Sequence, residues 1–298
     1  MTVGSVALSR SRERRVERGR QSLEMLLDGV FRPKGWAAAL AYRLGLQGSV
    51  RTSTTTVRAR RSTSTVVENE RPPLRVAFAS DFHAGATTHP RLLAEACAAL
   101  AELKPDVLLL GGDFVTVRAR SIDHLAPLLA EIPAPYGKFG VLGNHDLRAN
   151  HSLVVSELEQ AGVQMLANRH VRLAPPFDDI DICGLDDPTR GSPRADLALG
   201  RATGTRIVLM HSPQGLLALE DHSFEVAFCG HTHGGQIAWP TGAPVVVPSG
   251  HLNRRYASGR FDLGGENPST LLVSRGVGCS TVPVRLFAAP EVHLCLIV

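Results

Sequence analysis

Apolar positions along this chain follow two rhythms. Largely apolar short runs at 76–80, 107–110, 139–142, 180–183, 207–210, 224–229, 270–274 and 292–298 predict buried strands. Between the first of these lie stretches of helical spacing, one with Leu92, Leu93, Ala96, Leu100 and Leu103 on one face and closed by Lys104-Pro105, another over 122–131. Strands alternating with helices predict βαβ units, hence an α/β fold with a largely parallel sheet.

The chain ahead of residue 74 reads differently. Leu23, Leu26, Leu27, Val30 and Phe31 form an apolar stripe at helical spacing. Pro33 and Gly35 break it, and Trp36, Leu40 and Leu44 resume it. Two readings of this stripe stand side by side: a helix packed on the main domain, or a membrane-surface anchor with basic flanks. From Gly48 to Glu70 the Ser/Thr/Arg-rich composition predicts a linker. The expected organisation is a basic N-terminal extension over residues 1–73 and a folded domain over 74–298.

Charge sharpens that division. Residues 1–75 hold 15 Lys and Arg against 6 Asp and Glu, whereas residues 76–298 hold 17 against 22, so the net charge of +4 belongs to the extension and the body is acidic. The arginines carry no interleaved aromatics for base stacking, so no nucleic-acid partner is expected. Five widely spaced cysteines among 298 residues match neither a zinc finger nor an even disulfide set, and predict buried thiols in a reducing compartment. Arg14-Arg15 is a twin arginine, but charges follow it where an export signal needs an apolar stretch, and Glu24 and Asp28 interrupt the next candidate. The expected location is cytoplasmic, with peripheral contact at the inner face of an anionic membrane as the anchor reading requires.

The conspicuous polar residues of the body stand directly after strands. Asp81 and His83 follow the first, Asp113 the second, Asn144 and His145 the third; His211 follows a later strand, and His231 and His233 another. Singly, each has a plain structural role as a cap, turn or core residue. Together they share the carboxyl edge of an α/β sheet, where ligands bind. Two carboxylates, an amide oxygen and imidazoles exceed what one tetrahedral ion needs and suit two ions sharing a bridging carboxylate. Mixed nitrogen and oxygen donors favour Mn, Fe, Zn or Co over Ca or Mg. The glycines in Gly230-His231-Thr232-His233-Gly234-Gly235 let both imidazoles of that loop turn toward one point.

The ordered series Asp81-Phe82-His83, Gly112-Asp113, Gly143-Asn144-His145-Asp146, His211 and Gly230-His231-Thr232-His233 resembles the calcineurin-like metallophosphoesterase superfamily over about residues 74–298. The continuations Gly234-Gly235-Gln236-Ile237, Tyr256-Ala257-Ser258-Gly259 and Ser274-Arg275-Gly276 resemble a bacterial branch of membrane-associated phosphodiesterases, some of whose relatives cleave the pyrophosphate of UDP-2,3-diacylglucosamine. The resemblance implies a four-layer αββα sandwich of mixed sheets and a dinuclear metal-dependent phosphoester hydrolase, a phosphodiesterase or pyrophosphatase that uses a metal-bridging hydroxide. It implies that Asp81, His83 and His233 hold a first ion, that Asp113 bridges, and that Asn144, His211 and His231 hold a second. His145 would protonate the leaving group, and Arg148 is a candidate for binding the phosphate.

One departure matters. Protein Ser/Thr phosphatases of this superfamily carry a second aspartate three residues after the bridging one, and here Thr116 stands there. Phosphoprotein substrates are disfavoured, and the group that orients His145 is left open, with Asp146 one candidate. A catalytically silent scaffold on the same fold is the rival reading; it predicts missing ligands, and none is missing. Substrate choice would rest with loops such as 175–179 and 242–260.

Overall fold

In this computed structural model, residue 19 and residues 22–59, 72–219, 222–264 and 268–298 are described. The arginine-rich start and most of the second half of the expected linker lie outside them.

The strands in chain order are β1 (Arg51–Val57), β2 (Leu74–Ala79), β3 (Val107–Leu110), β4 (Lys138–Gly140), β5 (Val163–Met165), β6 (Arg169–Arg172), β7 (Ile180–Gly184), β8 (Thr205–Leu209), β9 (Val226–Cys229), β10 (Gly259–Leu263), β11 (Ser269–Val273) and β12 (Glu291–Ile297). The helices are α1 (22–31), α2 (Trp36–Arg43), α3 (Pro90–Glu102), α4 (Ala126–Ala130), α5 (Asn144–Arg148), α6 (His151–Gln160), α7 (Ala195–Leu199) and α8 (His251–Arg255). Among the described residues the strands make two six-stranded sheets, ordered β1-β12-β2-β3-β4-β5 and β10-β11-β9-β8-β7-β6.

The predicted largely parallel sheet is thus two mixed ones. β2 to β5 run parallel, as do β7, β8, β9 and β11, but β12 is antiparallel to β2, β10 to β11, and β6 to β7. Phe78, Leu109 and Phe139 of the first sheet meet Ile182, Leu209 and Phe228 of the second in a shared core. Phe78 and Phe228 lie 5.3 Å apart between ring centroids. Leu93, Ala96 and Leu100 of α3 and Val154 and Leu158 of α6 cover the first sheet's outer face; Ala195, Ala198 and Leu199 of α7 cover the second's. These faces make the αββα sandwich, each large buried aliphatic contributing about 1.5–3 kcal/mol. Helix α3 carries the predicted apolar face and starts at Pro90, which suits a first helical position, with the His89 side chain accepting the Arg91 N–H.

Two expectations need correction. The Ser/Thr/Arg-rich stretch read as linker contains β1, which pairs in parallel with β12 from Arg51↔Glu291 to Val57↔Ile297. Its threonines are β-branched and fit the exposed edge of a sheet, so composition hid a strand. The run 122–131 divides into a 3₁₀ turn at Ala119–His124 and the short α4, with Pro127 at its start.

The stripe on α1 is helical, with Leu23, Leu26 and Val30 turned to solvent and Leu27 and Phe31 partly buried. Glu24 and Asp28 are buried at 3% and 7% exposure, while Leu26 is 66% and Val30 51% exposed. All five cysteines are buried free thiols. No helix among the described residues is long and apolar enough to cross a membrane.

Candidate metal centre

The carboxyl ends of β2, β3 and β4 in one sheet and of β8 and β9 in the other converge on one point. Asp81 and His83 leave β2, Asp113 leaves β3, and Asn144 opens α5 directly after β4. His211 follows β8, and His231 and His233 follow β9. The loops are tied together: the Asp81 and His83 amides donate to Gly112 and Asp113 carbonyls, both at 2.9 Å, and the Asp81 carboxylate accepts the His231 N–H at 2.9 Å.

Five of the seven expected ligands, Asp81, His83, Asp113, His231 and His233, have φ between 45° and 69°. Left-handed backbone costs a non-glycine residue of order 1–3 kcal/mol and concentrates at functional sites. It turns each side chain off its strand toward the shared centre. Close approach also explains two glycines. A Cβ on Gly230 would lie 2.1 Å from Asp81 Oδ2, and one on Gly143 would lie 2.3 Å from Asp113 Oδ1.

Ligand atoms gather in three overlapping groups, Asp81/His83/His233, His83/Asp113/His145 and Asp113/His211/His231, each within 4.8 Å. His83 Nε2 and His233 Nε2 are 3.1 Å apart, and His231 Nδ1 is 3.1 Å from His211 Nε2. Asn144 Oδ1 lies 3.2 Å from His211 Nε2, and Asp113 Oδ2 is 3.3 Å from the same nitrogen and 3.6 Å from His83 Nε2. Asp113 therefore stands between the two outer groups, as a bridging carboxylate would. Facing imidazole nitrogens and two carboxylates, all but removed from water, form a donor set that fits divalent cations.

The protein sets the orientation of individual rings. His211 Nδ1 is 2.7 Å from the Gly111 carbonyl, which accepts its proton and turns Nε2 to the centre. Burial depresses the pKa of His83 and His233 well below that of free imidazole; for His233 the neighbouring His83 and Arg285 add to the effect. Burial opposes charge on His211, yet Asp113, through its charge and hydrogen bond, raises that pKa well above the ordinary value. Burial pushes Asp81 up to about 6.

His145 is 4% exposed and its ring stands at 90° to that of His83, 4.7 Å away. Its backbone N–H donates to Asp113 Oδ1 at 2.7 Å, and its Nδ1 is 2.8 Å from the Thr116 carbonyl. The orienting group is thus the main chain of Thr116. Asp146, the candidate from sequence, instead accepts the Val115 and Gly143 amides at 3.1 and 3.0 Å and braces the loops. Arg148 lies against His145 and pairs with Glu24 at 2.8 Å. Sequence reasoning missed Glu24 and Arg285 as neighbours of the site. Arg285, 4% exposed, reaches His233 Nδ1 at 3.2 Å while donating to the carbonyls of Gly278, Ala288 and Arg275. The one signal for Glu24 was an acid interrupting an apolar helix.

The model of the calcineurin-like phosphoesterase family matches residues 74–235, more than half of the chain. The chain belongs to that family. This metallophosphoesterase is 32% identical over 197 residues to the uncharacterized metallophosphoesterase YkuE of Bacillus subtilis, covering 64% of this chain and 67% of that one. It is 31% identical over 231 residues to the phosphodiesterase YaeI of Escherichia coli, covering 74% and 81%. With the UDP-2,3-diacylglucosamine pyrophosphatase LpxG of Chlamydia trachomatis it shares 28% identity over 276 residues, covering 74% and 82%. The protein is a metal-binding hydrolase of phosphoester bonds, and the silent-scaffold reading is not favoured.

Proposed function

We propose that this metallophosphoesterase binds two divalent cations, drawn from Mn, Fe, Zn and Co, and hydrolyses a phosphodiester or pyrophosphate bond in a lipid-linked substrate at an anionic membrane face. The observation that carries the chemistry is the convergence of carboxylate and imidazole donors into overlapping groups around Asp113. Asp81, His83 and His233 are assigned to one ion, Asn144, His211 and His231 to the other, and Asp113 to both. When bound, such cations supply Lewis-acid neutralisation of phosphoryl charge and acidify water. The side chains do the rest. His145, with Nδ1 on the Thr116 carbonyl, directs Nε2 to the leaving oxygen and donates its proton there. The Arg148 guanidinium, 18% exposed, pairs with a non-bridging phosphoryl oxygen.

The metal-loaded protein, assayed against bis-p-nitrophenyl phosphate, p-nitrophenyl phosphate, cyclic nucleotides and UDP-2,3-diacylglucosamine, should prefer diester or pyrophosphate substrates, and chelation should remove activity. Preference for the monoester would overturn the diesterase assignment.

Membrane contact is supported by the outward apolar face of α1 and α2. Leu23, Leu26, Val30, Trp36 and Leu40 are each about half-exposed or more, with Arg32, Lys34 and Arg43 exposed or partly exposed beside them. In sequence, Arg10, Arg12, Arg14, Arg15, Arg18 and Arg20 lie just upstream. Each basic residue near an anionic leaflet adds about 1 kcal/mol to binding, and apolar insertion adds more. The full-length protein should sediment with phosphatidylglycerol vesicles at low salt, and Leu26→Gln with Val30→Gln should release it. A wild-type protein that stays in the supernatant refutes the contact.

A further inference from the structure

Helix α1 is amphipathic in an inverted sense. Its buried side presents two acids one turn apart, and its solvent side presents Leu23, Met25, Leu26 and Val30. Neither side suits a helix that merely covers a core, because acids are costly to bury without partners and apolar side chains gain nothing from water. The acids do have partners. Asp28 pairs with Arg118 at 2.9 Å, on the loop after β3, and with Arg32 at 3.8 Å. Glu24 pairs with Arg148 Nη1 at 2.8 Å, accepts from the Thr281 hydroxyl at 3.4 Å, and brings Oε1 to 3.9 Å from His145 Nε2.

That last distance decides what Glu24 does. The leaving oxygen of a phosphoester must come within hydrogen-bond reach of His145 Nε2, with a phosphoryl oxygen on Arg148. The Glu24 carboxylate already spans these two groups, so an anion from the chain itself sits where an anionic substrate has to bind. The candidate ligands beneath are nearly all closed to water: Asp81, His83 and His211 are fully buried and Asp113 is 1% exposed.

We propose that α1 is an intrasteric cap, whose Glu24 carboxylate occupies the phosphoester seat between Arg148 and His145 and is withdrawn when the helix's apolar outer face enters an anionic bilayer. This rests on the phosphoesterase and membrane readings above and adds their coupling. The bilayer is the committed occupant because the apolar face has basic neighbours in Arg32, Lys34 and Arg43. A bilayer that draws on this face competes with the two ion pairs on the other, so active-site opening is tied to the surface where a lipid-linked phosphoester would be met.

A cap that competes with substrate acts on KM and not on kcat. With full-length, metal-loaded protein and bis-p-nitrophenyl phosphate in the absence of lipid, Glu24→Gln should lower KM by about tenfold, the scale of one charge-assisted hydrogen bond, and leave kcat unchanged. Asp28→Asn, which loosens the helix away from the catalytic groups, should move KM the same way by less. Phosphatidylglycerol vesicles should lower the KM of the wild type and not that of Glu24→Gln. Calorimetric binding of inorganic phosphate should tighten in Glu24→Gln by a similar factor, a readout independent of turnover. A fall in kcat or a rise in KM in Glu24→Gln would make Glu24 a positioning residue for Arg148 and overturn the cap. Sedimentation with vesicles without any change in wild-type KM would also overturn it while leaving the membrane contact standing. If no ester is hydrolysed, the phosphoesterase reading fails by itself, and unchanged phosphate affinity in Glu24→Gln then removes the cap as well.

Discussion

Asp113→Asn should abolish hydrolysis, with a fall of about 10³-fold or more and a loss of metal at both positions. Three interactions converge on this carboxylate: Oδ2 lies 3.3 Å from His211 and 3.6 Å from His83, and Oδ1 accepts the His145 N–H at 2.7 Å. An amide keeps the shape but loses the charge that two cations would share, which is worth several kcal/mol in the transition state. The charge also matters before metal binds. Burial works against an ionised Asp113, but the charges of His211, His145 and His83 and the hydrogen bond with His211 hold its pKa well below the usual carboxylate range. Cations bind the ionised form of such a carboxylate. Elemental analysis after metal loading, alongside turnover of bis-p-nitrophenyl phosphate, checks the result. Two ions per chain with activity intact would refute the bridging assignment.

His145→Ala should separate chemistry from metal binding. Metal content should persist while turnover of alkyl phosphodiesters drops by about 10²–10⁴, the usual range for general acid help. p-Nitrophenyl esters should suffer much less, because their leaving group departs without a proton. Burial lowers the His145 pKa from its ordinary value, against opposing pulls from Asp113 and Glu24. A lowered pKa makes the imidazolium a stronger acid but a scarcer one. The wild-type rate with alkyl esters should therefore decline as pH rises through that depressed pKa, and the alanine variant should lose this limb. Equal losses for both ester types, or loss of metal with the imidazole, would assign His145 to the ligand set and not to proton donation.

Much of the fold and of the candidate site is written in local pattern. Apolar runs such as Val107–Leu110, buried on both sides, announce themselves as strands wherever they fall, and β11 and β12 were legible late in the chain for the same reason. The polar residues after them were legible because strand ends in α/β folds lie on one edge, which groups Asp81, Asp113, Asn144, His211, His231 and His233 from sequence alone. Where local pattern misled, the cause was polarity. β1 has the composition of a linker, and its strand character comes only from hydrogen bonds to β12, more than two hundred residues away. The antiparallel returns of β6, β10 and β12 were hidden likewise, since direction is a property of pairing and not of any segment.

What the amino-acid sequence determined by itself was the set of strands, the residues at their ends and, through the spacing of those residues, the family and its chemistry. Tertiary structure alone decided which groups act on which. The Thr116 carbonyl rather than Asp146 orients His145, because main-chain atoms leave no mark on sequence beyond their existence. The facing of α1 was equally undecidable, since its apolar and acidic sides both fall at helical spacing and either could be inward. Specific partners decided it: Arg148, Arg118 and Thr281 stand where Glu24 and Asp28 can reach them, and a carboxylate can be buried only where such partners wait for it.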